Sequence, residues 1–123
     1  MSIELNQYLT YKLSDEIFAL NVSVVKEVVE YKKLTFIPGL PPCFSGVYSL
    51  RGEPLLIIDL KKIFLFQDIP NTVDTCIVVI EVELEKTKKN VGLIVDKVLE
   101  VIQIEENLLN NEISKKSLEE NDN

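Results

Sequence analysis

The sequence has no histidine and no tryptophan, only two cysteines, and four glycines that never cluster. Each shortage removes a class of chemistry. Without histidine there is no Ser-His-Asp or Cys-His nucleophile pair and no imidazole ligand for zinc or haem. Cys43 and Cys76 are far apart, with no CxxC or other metal spacing, so they read as buried free thiols in a reducing compartment. Gly39, Gly46, Gly52 and Gly92 are scattered, so no glycine-rich loop opens a helix to cradle phosphate, and no Asp-x-Asp-x-Asx-Gly run suggests calcium. No cofactor and no catalysis is expected on these grounds.

Cations are also scarce. Thirteen Lys and Arg stand against twenty Asp and Glu, a net charge of −7, so the clustered positive charge that nucleic acid requires is missing. The acidity is uneven: residues 105–123 hold six acids and two lysines, and the rest of the chain is nearly balanced. The opening MSIELNQYLTYKL has neither a basic stretch nor an apolar one of the signal-peptide kind. The longest apolar runs, Leu55–Ile58 and Ile63–Phe66, are too short to cross a bilayer. The expectation is a cytoplasmic protein with no direct membrane insertion.

What is present reads as strands. Leu9, Tyr11 and Leu13 alternate with Tyr8, Thr10 and Lys12; after a turn at Ser14-Asp15, Phe18, Leu20 and Val22 resume the alternation, which predicts a hairpin. Val24, Val25, Val28 and Val29 are spaced as on a helix, with Asn21 or Ser23 as its cap, although valine is a poor helix former. The prolines of Ile37–Pro42 predict a rigid connector. Phe44–Leu50 and Leu55–Ile58 read as strands around Arg51-Gly52-Glu53-Pro54, followed by a short helix that Asp59 caps. Cys76–Leu84 and Val91–Val95 read as a second hairpin with Glu85–Asn90 as its turn, and another strand follows at Val98–Ile104. At least six short strands and two small helices describe a mainly β protein of one or two small barrels. No internal repeat stands out.

Three groups of side chains could carry function. Glu81, Glu83 and Glu85 share a strand face, but Lys86, Lys88 and Lys89 beside them make a solvated hairpin edge the simpler account. Asp59 and Asp96 adjoin apolar strands and are explained by a cap and a turn. Arg51, following Leu50 on a tight turn with Gly52, has the composition of an interface anchor, or of an ion pair with Glu53 or Asp59.

The block Phe44-Ser45-Gly46-Val47-Tyr48-Ser49-Leu50-Arg51-Gly52-Glu53-Pro54-Leu55-Leu56-Ile57-Ile58-Asp59-Leu60 resembles the signature of the CheW family, the coupling proteins of bacterial chemotaxis. Tyr8–Leu13, Ala19–Glu27, Ile37-Pro38 with Pro41-Pro42, and Val91–Asp96 with Val98 and Val101 resemble the flanking segments in the right order, over roughly residues 7–108. The resemblance implies two small SH3-like β-barrel lobes around a shared hydrophobic seam, a single domain over residues 1–108, and no enzymatic activity. It implies an adaptor between chemoreceptor cytoplasmic tips and the regulatory domain of the histidine kinase CheA, located at membrane-associated receptor arrays. Carried over residue by residue, it marks Arg51, Glu27 and Val25 as partner contacts, with Leu50 and Gly52 shaping the same turn. The alternative reading is a regulatory or small-ligand-sensing module that has lost array coupling.

Two departures stand out. Ser49 replaces the motif's asparagine. Residues 109–123, read as an acidic and flexible tail, contain nothing like the family's closing L-x-I-L-L-D-L strand and helix. The C-terminal part thus reads as truncated, and an open barrel edge is expected to invite self-association.

Overall fold

A computed structural model of the chain describes residues 5–67 and 69–105. The eight strands are β1 (Leu5–Leu13), β2 (Glu16–Asn21), β3 (Val25–Glu30), β4 (Phe44–Leu50), β5 (Glu53–Ile58), β6 (Cys76–Leu84), β7 (Thr87–Val95) and β8 (Lys97–Glu105). They form a three-stranded sheet ordered β2-β1-β8 and a five-stranded sheet ordered β3-β6-β7-β5-β4. Every pairing is antiparallel except β5 with β7, which run parallel through Ile57↔Gly92 and Ile58↔Leu93. The mainly β, two-lobed reading is what the structure contains.

The β6–β7 hairpin is the shared seam. On one face, Val78, Leu93 and Val95 pack with Leu9, Tyr11 and Leu13 of β1. On the other, Ile77, Val79 and Ile94 pack with Tyr48, Leu55 and Ile57. A strand buried on both faces explains the nearly unbroken apolar run from Cys76 to Val82. Gly92 sits inside the second cluster, where an added Cβ would lie 2.5 Å from Ile57 Cδ1, so a side chain there would block the approach of β5.

The five-stranded sheet curls until its two edges meet. Thr35, just after β3, exchanges both backbone hydrogen bonds with Val47 of β4, at 2.8 and 2.9 Å. The Tyr48 hydroxyl donates to the Glu30 carbonyl at 3.0 Å. These contacts draw the outer sides of β3 and β4 towards each other and pair Val47 of β4 with Thr35.

Three expectations are corrected. Val24–Val29 is not a helix: Val22–Val24 form one 3₁₀ turn, whose cap Asn21 accepts from the Ser23 N–H, and β3 follows. The second hairpin turns at Glu85-Lys86 alone, both with positive φ, so β7 begins at Thr87 and not at Val91. Cys43 and Cys76 are free but half-buried rather than enclosed; burial pushes the Cys76 thiol up from its ordinary pKa. The capped helix (Leu60–Ile63, α1) is where it was expected, with Asp59 Oδ1 accepting from the Lys61 N–H at 3.0 Å. The stretch 109–123 lies outside the described residues.

The structure also holds a repeat that the sequence reading missed. Hairpin β1–β2 and the strand after it match hairpin β6–β7 and the strand after it. Leu20, Val22, Val25, Glu27 and Val28 recur at one offset as Leu93, Val95, Val98, Glu100 and Val101. The third strands are exchanged: β3 joins β6, and β8 joins β1. A β-bulge falls just after Val25 in one unit and just after Val98 in the other.

Candidate functional site

The turn between β4 and β5 is two residues long, with Leu50 opposite Glu53 and both Arg51 (φ 49) and Gly52 (φ 84) in the left-handed region. Such loops match the twist of the strands they join, and glycine takes the second position without cost. Arginine in the left-handed region is less common. Its guanidinium is aimed across the barrel mouth at β3, where it forks onto Glu27: Nη1 donates to Oε1 at 2.9 Å and Nη2 to Oε2 at 2.7 Å. The carboxylate and guanidinium are thus locked in a planar, bidentate pair on the surface.

The Arg51 side chain keeps 70% of its exposure and Glu27 keeps 33%. Exposed pairs contribute little to stability, so the value of this one is positional. The hydrogen bonds from Arg51, reinforced by its charge, hold the Glu27 carboxyl below the usual carboxylate range, and Glu27 raises the Arg51 guanidinium in turn. Since the ionised form of Glu27 is the one the fold favours, the pair is complete above the ordinary carboxylate range and opens as pH falls through the lowered value. An NMR titration of the Glu27 side-chain carboxyl is expected to show a midpoint below the ordinary carboxylate range, and Arg51→Ala is expected to raise it.

The five residues singled out from the sequence therefore divide. Arg51, Gly52 and Glu27 meet at one rim. Val25 is half-buried against the first apolar cluster, and Leu50 is half-buried against the second. The partner of Arg51 is neither Glu53 nor Asp59. Asp59 is buried as a helix cap, and Glu27 lies 24 residues away in sequence, where local spacing gives no hint of it. Glu81 is engaged by Lys26 at 3.1 Å and Lys88 at 3.8 Å, which accounts for it as part of a charged hairpin flank.

Sequence reading missed a buried pair. Lys61, whose side chain is only 4% exposed, donates from Nζ to Asp96 Oδ1 at 2.8 Å, and Asp96 Oδ2 accepts from the Ser14 N–H at 2.7 Å. This ties α1, the end of β7 and the β1–β2 turn together. A shallow cleft of about 200 Å³ opens beside it, lined by Lys12, Ser14, Thr72, Asp74, Asp96 and Lys97, on a different part of the surface from residues named above as the rim. Among the described residues no three Cys, Asp or Glu gather as metal ligands, and no helix is long and apolar enough to cross a membrane.

The described strands form two sheets that share the faces of the β6–β7 hairpin, with a fixed ion pair on one rim. The chain belongs to the CheW family: the model of the CheW-like domain matches residues 7–121. It is 31% identical over 99 residues to the chemotaxis protein CheW of Bacillus subtilis, covering 80% of this chain and 60% of that one. To the CheW of Thermotoga maritima it is 28% identical over 103 residues, covering 84% and 65%. The crystal structure of the scaffolding protein TtCheW from Thermoanaerobacter tengcongensis superposes with a TM-score of 0.74 at 36% identity, over 85% of this chain and 68% of that one. The chain spans about three-fifths of the length of the Bacillus relative.

Proposed function

We propose that this chain is a non-enzymatic adaptor of chemotaxis signalling, which couples chemoreceptor cytoplasmic tips to the regulatory domain of the histidine kinase CheA. The observation that carries the reading is the Arg51–Glu27 fork, which sits in the part of the chain that carries the family's signature and presents a rigid polar anchor with apolar neighbours. Anchors of this kind act by pre-organisation: the side chains are already fixed, so little entropy is lost when a partner docks. In this reading residues 1–108 are the adaptor domain, Val25 and Leu50 set the height of the rim, and the protein works in the cytoplasm at receptor arrays.

The test is a pull-down with the kinase regulatory domain and, separately, a receptor-tip fragment. Arg51→Ala is expected to lower affinity for at least one of them roughly tenfold or more, the scale of an interface anchor, while leaving the thermal unfolding midpoint almost unchanged. Binding to neither fragment, or an Arg51→Ala variant that binds as the unaltered chain does, would remove the reading.

A further inference from the structure

The cleft beside the Lys61–Asp96 pair has walls of different chemistry. On the sheet side, Lys12 of β1 and Lys97 of β8 stand directly opposite each other in register, and both line it. Opposed positions on neighbouring strands place their side chains on one face, about 5 Å apart at Cβ, and like charges so placed repel. On the loop side, Asp74 lines the cleft with Thr72 and Thr75, and Asp15 of the β1–β2 turn reaches the same cleft.

Both walls are held from behind. Asp96 has its two carboxylate oxygens engaged by the Lys61 ammonium and the Ser14 N–H, and its own N–H donates to the Lys12 carbonyl at 2.9 Å. The Ser14 hydroxyl donates to the Gln67 carbonyl at 3.0 Å. Across the cleft Thr75 is only 5% exposed, and its hydroxyl accepts from the Thr72 N–H at 2.9 Å. The Thr72 hydroxyl accepts from the Asp74 N–H at 3.1 Å, so Asp74 is carried on a fixed turn.

With Asp96 balanced by Lys61, the charges that remain on the lining are two ammoniums and two carboxylates, a sum of zero. A simple anion meets Asp15 and Asp74 there, and a simple cation meets Lys12 and Lys97. A molecule that carries one charge of each sign gains at both walls. The volume of about 200 Å³ is below that of drug-sized pockets, so the molecule is small.

We propose that this cleft binds a free amino acid as its zwitterion. The carboxylate lies between the Lys12 and Lys97 ammoniums and relieves their repulsion, and the ammonium lies at Asp74. The site draws on the β1–β2 turn, the β7–β8 junction and the loop before β6, so the bound molecule ties together three separate parts of the chain. The inference rests on the cleft and not on the adaptor reading.

The recognised groups are the two charges that every amino acid carries, so L-alanine is a sufficient probe. It is added to the 123-residue protein and followed by backbone amide chemical shifts. Saturable shifts at Lys12, Thr72, Asp74, Thr75 and Lys97 are expected at millimolar concentration. Propionate, which lacks the ammonium, and ethylammonium, which lacks the carboxylate, are each expected to bind at least tenfold more weakly. Lys97→Gln and Asp74→Asn are each expected to weaken L-alanine at least tenfold. Both positions are exposed, and amide shifts remote from the cleft verify that the variants keep the fold. The absence of any saturable shift overturns the proposal. So does propionate that binds as tightly as L-alanine, which makes the cleft a site for anions only. Shifts that survive both substitutions place the amino acid elsewhere and overturn it as well.

Discussion

Asp96→Ala is expected to destabilise the fold by about 3–5 kcal/mol, the cost of leaving one member of a buried ion pair alone. The Lys61 amine is buried, and Asp96 is its ion-pair partner among the described residues. Removing the carboxylate also strips the Ser14 N–H of its acceptor at the β1–β2 turn. Replacing Lys61 by methionine is a milder change, because Asp96 retains 17% exposure and the bond from Ser14, and the thioether fills the same volume. The measurement is urea unfolding of both variants. A large drop in midpoint for Asp96→Ala with an unchanged slope, and a drop less than half as large for Lys61→Met, is the expected pattern. Equal losses would mean that the two elements are held by packing alone.

Gly46→Ala is expected to cost roughly 2–4 kcal/mol, summing backbone strain with overpacking. Gly46 has φ 139, a conformation that side-chain-bearing residues rarely adopt. A Cβ there would stand 2.5 Å from the Thr35 carbonyl oxygen. That oxygen accepts the Val47 N–H in the bridge that closes the five-stranded barrel, so it cannot retreat without opening the closure. Gly39, by contrast, has open space around it, and Gly39→Ala pays only for its positive φ. Circular dichroism melts of the two variants separate steric closure from backbone strain; equal melting points would show that the bridge adds nothing.

Most of the fold was readable because its strands obey a period of two and its turns use the residues that turns need. The exception at Val24–Val29 has a specific cause. The bulge after Val25 inserts one extra residue, so Val25 and Val28 both face the first cluster's side of β6, opposite Ile80 and Val78. Three-residue spacing on one face imitates a helix, whereas the valines themselves favour a strand. The family signature located the rim through Arg51 and Glu27, but their pairing depends on the curl of the whole sheet, which no local pattern encodes. The Lys61–Asp96 pair was hidden for a similar reason: lysine is almost never fully buried, so nothing in its surroundings marked it. The repeat was obscured because four of the five identical residues named above are common aliphatics and its third strands trade places.

That exchange of third strands bears on how the chain reaches its native state. Thr10 bonds to both the N–H and the carbonyl of Glu100, a loop closure of 90 residues. During synthesis the first hairpin precedes the strand that flanks it, β8, by the whole of β3 to β7. Contacts of such long sequence separation slow folding and lengthen the time that unpaired edges stand exposed. The β1–β2 hairpin therefore waits through the synthesis of β3 to β7 for its neighbour, and the β1–β8 pairing is expected to form after the β6–β7 hairpin.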